Sequence, residues 1–74
     1  MPDRNPMLDP VQGDKLSAQG FVFVVDIVKD RSVSFVKWRE EKPLIQAYGK
    51  CTLAYWRKQW LWVTDAVIIE RGDE

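Results

Sequence analysis

Any catalysis in this chain would have to proceed without histidine, because none of the 74 residues is one. That removes the commonest general base, metal ligand and catalytic-triad member together. Cys51 is the only cysteine, so the chain can close no internal disulfide and build no multi-cysteine zinc site. Its thiol would act as a nucleophile only if its pKa were lowered. Lys50 beside it and a helix start just after it pull weakly in that direction. Free cysteine is, however, among the most buried side chains, and Cys51 suits a gap between a sheet and a helix. The carboxylates Asp14, Asp26, Asp30, Glu40 and Glu41 show no metal-ligand spacing, and the Glu40-Glu41 pair sits in a lysine-flanked loop that reads as solvated. The expectation is therefore for no catalytic residue, no metal, no cofactor and no enzyme.

Binding chemistry is better represented. Trp38, Tyr48, Tyr55, Trp56, Trp60 and Trp62 are interleaved with cations, a composition that can stack bases while neutralising phosphates. The net charge is zero but unevenly spread. Residues 1–28 hold two cations against four carboxylates, residues 29–58 eight against three, and residues 59–74 one against four. Lys37, Trp38, Arg39, Tyr55, Arg57 and Lys58 are the residues expected to form a contact surface in the basic middle. Exposed tryptophan, tyrosine and arginine serve a protein interface equally well, with edge strands adding to a partner. A protein partner or self-association, the latter through the apolar stretch from Leu61 to Ile69, is the leading expectation, and nucleic acid the alternative.

The elements that must position these residues are short. Pro2, Pro6 and Pro10 in a stretch without apolar periodicity predict a flexible, extended arm over residues 1–12. A single small domain is expected over 13–71, followed by a frayed end at 72–74. Phe21 to Val28 and Val33 to Trp38 read as a β-hairpin about the Lys29-Asp30-Arg31-Ser32 turn, and Leu44 to Tyr48 as a third strand. Leu53, Trp56 and Trp60 fall at the spacing of one helical face, with Thr52 as N-cap and Arg57 and Lys58 near the negative pole. Leu61 to Val63 and Ala66 to Ile69 read as two further strands. Val22, Val24, Ile27, Val33, Phe35, Leu53, Trp56 and Trp60 are the expected core. Five short strands and one helix make a mostly β fold, either an SH3-like small barrel or a related small α+β roll.

Gly13-Asp14, the Val25/Val28 strand, the Asp30-Arg31 turn, the Val33/Phe35 strand and the run Cys51-Thr52-Leu53-Ala54-Tyr55-Trp56-Arg57-Lys58-Gln59-Trp60 together resemble a group of short phage- and prophage-encoded proteins of unknown function. The likeness covers roughly residues 10–60, and its most specific piece is Cys51 to Trp60. It implies a bacterial or bacteriophage origin and supplies no activity. The chain departs from that group by continuing through Trp62 to Ile69. The longest apolar run, Phe21 to Val25, is far short of the roughly 20 residues of a membrane span. No basic-then-apolar leader opens the chain. The expectation is a cytoplasmic protein of a bacterial host, with no membrane partner.

Overall fold

Two-residue turns organise the middle of the chain. Gln19-Gly20 and Asp30-Arg31 all have positive φ, between 51° and 80°, the geometry whose twist matches that of the strands it joins. Gly20 adopts it freely, whereas Arg31 has neither a glycine's freedom nor a short polar side chain to favour it. These turns connect β1 (Lys15–Ala18), β2 (Phe21–Lys29) and β3 (Ser32–Arg39). β4 (Gln46–Thr52) follows a loop, and β5 (Val67–Glu70) follows the helix α1 (Leu53–Gln59) and a 3₁₀ turn (Trp60–Trp62). The structure, a computed structural model, describes residues 4–73. All pairings are antiparallel and the strands form one sheet in the order β4-β3-β2-β1-β5. The fold is thus mostly β with one short helix. Among the described residues no pairing joins β4 to β5, so the sheet is not closed into a barrel. No helix among them is long and apolar enough to cross a membrane.

One bulge sets which residues reach the core. Val25 pairs with Phe35 and Ile27 with Ser34, which leaves Asp26 as the extra residue. The bulge reverses the alternation. Val25 is 1% exposed and Ile27 51% exposed, so Ile27 leaves the expected core and Val25 enters it. Val22 is buried but lies outside the core cluster, on the opposite sheet face beside its partner Trp38. Val24 is only half-buried. Leu16, Ala18, Val25, Val33, Trp56 and Trp60 make the core, with Phe23, Phe35, Cys51, Leu53 and Ile68 packed against it.

The helix is capped as its sequence predicts, Thr52 Oγ1 accepting from Tyr55 N–H at 3.0 Å. Seven residues are too few for a stable isolated helix, so docking must hold it. Trp56 and Trp60 meet edge to face at 5.4 Å, Trp60 meets Phe23 at 5.5 Å, and Trp56 meets Phe35 at 5.6 Å between ring centroids. Phe35 in turn lies on Gly49, where a Cβ would come within 2.5 Å of the ring. That close approach lets β4 run through Gly49 to Thr52, beyond the Tyr48 end expected of it, while Leu44 and Ile45 remain in the loop. Leu61 and Trp62 continue the winding of the helix instead of forming a strand. The strand that sequence reading missed is β1, a four-residue alternation inside a polar stretch.

Residues 4–12 are not an extended arm. Pro6 and Pro10 are buried, and Pro6 C=O accepts the indole N–H of Trp56 at 3.0 Å. Arg4 forms two 2.7 Å hydrogen bonds with the carboxylate of Asp14, which is fully buried, and also donates to Asp73. Val11 N–H and Gly72 N–H, each at 2.8 Å, complete the Asp14 shell. Residues 72 and 73, expected to fray, thus make these contacts; residues 1–3 and 74 lie outside the described residues. Burial by itself would raise the Asp14 carboxyl, but the bonds from Arg4, Gly72 and Val11 and the Arg4 charge outweigh it and hold it below the usual carboxylate range.

Two predictions follow from this packing. Trp56→Phe strands the Pro6 carbonyl, whereas the Trp60 indole N–H has no partner among the described residues. In urea titrations Trp56→Phe should therefore cost about 1–3 kcal/mol more than Trp60→Phe. Equal losses would mean that the bond to Pro6 contributes nothing. The lowered pKa of Asp14 gives a stability contribution that is complete above its unfolded value of about 4 and is lost as pH falls through the lower folded value. Asp14→Asn should cost about 3–5 kcal/mol at neutral pH and flatten the loss of stability below about pH 4. An acid slope unchanged by the substitution would contradict this.

Candidate functional site: a basic groove beside a free sheet edge

Successive strand residues point to opposite faces, so Lys37 and Arg39 share the helix-side face while Trp38 lies on the other. Phe21 sits beside the two cations, with Lys37 Nζ 5.5 Å and the Arg39 guanidinium 5.6 Å from its ring centroid. Such cation–aromatic contacts hold flexible side chains in place at modest gain. The three residues lie in register with the core yet outside it because the helix does not reach them. Thr52 pairs with Ser32, so α1 starts over the opposite end of β3. Its seven residues advance only about 10 Å, while the eight of β3 span about 26 Å.

What remains uncovered is a groove of about 280 Å³ lined by Phe21, Lys37, Arg39, Lys42, Ile45 and Ala47, with Trp38 contributing between them. Glu41 approaches Arg39 only at 3.9 Å, with both side chains exposed, and Glu40 is turned away to accept from the Ser17 hydroxyl at 3.1 Å. Positive charge therefore dominates the groove. Ile45, which lines it, is 70% exposed and its loop neighbour Leu44 96% exposed, so large apolar side chains border it.

The six residues expected to form one surface separate into groups. Lys37 and Arg39 are together in the groove. Trp38 is half-buried on the far face, with Lys15 Nζ 5.7 Å from its ring centroid. Tyr55, Arg57 and Lys58 are exposed on α1. Arg57 is engaged locally, donating to Leu8 C=O at 2.7 Å and to the Asp9 carboxylate at 3.2 Å. It lines a separate depression with Asp30, Arg31, Ser32 and Thr52. Sequence reading passed over Phe21, Lys42 and Ile45. Phe21 opens a run that looks buried throughout, and only the shortness of α1, set against the length of β3, signals that this end stays open.

Cys51 is half-buried against the core, and desolvation pushes its thiol above the ordinary value. The neighbouring Lys50 does not offset that burial. Among the described residues no three His, Cys, Asp or Glu side chains gather as metal ligands. No protein-family model, curated protein or solved structure matches the chain.

A raised thiol pKa has a direct kinetic consequence, since the thiolate is the reactive form. At about pH 8, iodoacetamide should alkylate Cys51 several-fold more slowly in the folded protein than in urea. Faster alkylation of the folded form would restore Cys51 as a candidate nucleophile.

Proposed function

We propose that this protein is a non-enzymatic interaction module that binds an acidic surface of another protein through the Phe21 groove. The observation carrying this reading is the pair of cations, Lys37 and Arg39, held on one aromatic ring in an open groove with Lys42 at its rim. Apolar anchors beside a cationic pocket are the usual composition of a protein contact. The likeness to short phage- and prophage-encoded proteins supports an accessory role in which a host or phage protein is the partner, within a bacterial cytoplasm. The strand order supports the finer assignment to SH3-like folds, since a meander whose last strand returns beside the first needs only further curling to approach a barrel.

Nucleic acid is the second reading, favoured by the same ring between two cations, which suits a base and its phosphate. Against it, the exposed members of the aromatic set, Tyr48, Tyr55 and Trp62, lie on three separate elements, while Trp56 and Trp60 are core and Trp38 is half-buried on the far face. Leu61, Trp62 and Val67 are all more than half exposed, apolar surface that would serve self-association.

Amide NMR of the labelled protein, titrated with polyglutamate and with oligothymidylate at about 50 and 200 mM salt, separates these readings. Polyglutamate should move the amides of Phe21, Lys37 to Lys42 and Ala47, and Lys37→Glu with Arg39→Glu should weaken it about tenfold or more, equivalent to about 1.4 kcal/mol. Oligothymidylate binding more tightly at the same residues, with a steep salt slope, would replace the protein reading by the nucleic-acid one.

A further inference from the structure

The two edges of the sheet are built differently. β5 is four residues long, its pairing with β1 carries a register shift, and it ends in Glu70. Shortness, irregularity and charge are the ordinary defences of an edge strand. β4 has few of them. It is seven residues long, contains no proline, and pairs with β3 from Ser32↔Thr52 to Trp38↔Gln46 without a register shift. Lys50 is its only charged residue. Among the described residues no backbone hydrogen bond other than those to β3 reaches Gln46 to Cys51. One side of β4 therefore presents a regular row of unpaired N–H and C=O groups.

We propose that β4 is a docking edge, and that an acidic segment of a partner protein adds to it in extended conformation as a further strand. This rests on the reading of the groove as a protein contact and specifies how the partner is held. Main-chain pairing supplies affinity in such strand addition, and alternate side chains supply choice. A strand laid about 4.8 Å beyond β4 would carry alternate side chains past Ala47 toward the groove and past Tyr48 on the other face. Ala47, Gly49 and Cys51 leave the groove-side row low, so a glutamate side chain opposite Ala47 has room to approach Lys37 and Lys42. Lys50 lies on the Tyr48 face.

Charge decides the occupant. Residues 29–52 carry six cations against three carboxylates, of which Glu40 is turned to Ser17. Pairing β4 with β4 of a second copy would bring two such cationic rims together, which opposes association, whereas an acidic strand complements them.

The test uses a fluorescein-labelled peptide alternating glutamate and valine, its fully N-methylated counterpart, and a lysine–valine peptide. Hydrogen exchange of the full chain is the second readout. The glutamate–valine peptide should bind and slow exchange of the outward β4 amides about tenfold or more, while β5 amides stay unchanged; N-methylation should weaken binding by a similar factor, and the lysine peptide should not bind. If the N-methylated peptide binds equally and β4 amides are not protected, strand addition is wrong while the groove reading survives. If the peptide does not bind and polyglutamate leaves the groove amides unmoved, both fail. Protection of β4 that rises with protein concentration alone would assign the edge to a second copy and overturn the proposal.

Discussion

Four rings hold this fold together. Phe23 and Phe35 on the sheet and Trp56 and Trp60 on and after the helix meet with centroids 5.4 to 5.9 Å apart, and these rings, with Leu53 packed beside them and its N–H donating to Arg31 C=O, fix a seven-residue helix to the sheet. Other features are consequences. Phe35 can reach Trp56 only by lying over Gly49, which makes glycine obligatory at that point of β4. Trp56, once buried, needs an acceptor for its indole N–H and finds it in the Pro6 carbonyl, so residues near the N-terminus are drawn onto the helix. Arg4 then reaches Asp14, and through Asp14 and Asp73 the two ends of the described chain are joined. A Cβ on Gly72 would collide with the backbone of Gln12, so this junction too depends on a close approach.

Local features were legible in the sequence and long-range ones were not. The β2–β3 hairpin, the Thr52 cap and the shared face of Trp56 and Trp60 are encoded within a few residues of each other, and the structure has them. The phase of β2 is not local. Both of its faces are apolar, so alternation alone gives no orientation, and the Asp26 bulge settles it only through the pairing with Phe35 and Ser34. Residues 4–12 looked extended because two prolines and polar neighbours mask the fact that a distant tryptophan requires the Pro6 carbonyl. The candidate site was half legible. Lys37 and Arg39 were picked out by charge, but Trp38 between them had to point the other way, and Phe21 joins them across the sheet from a strand that reads as wholly buried.

Zero net charge, taken alone, argues against a field strong enough to recruit an acidic partner, since acidic ends offset a basic middle. The pairing pattern removes that objection. Asp14 and Asp73 share Arg4, with Arg71 adding positive charge beside Asp73, Asp9 is paired with Arg57, and Asp65 accepts the Gln19 N–H. Charges paired at contact distance contribute little beyond a Debye length of about 8 Å at physiological salt. Among the described residues neither Lys37 nor Lys42 forms an ion pair, and Lys37 rests on the Phe21 ring. The acidic ends thus serve to close the chain on itself, and the field that an approaching molecule meets at the groove is set by the local cations.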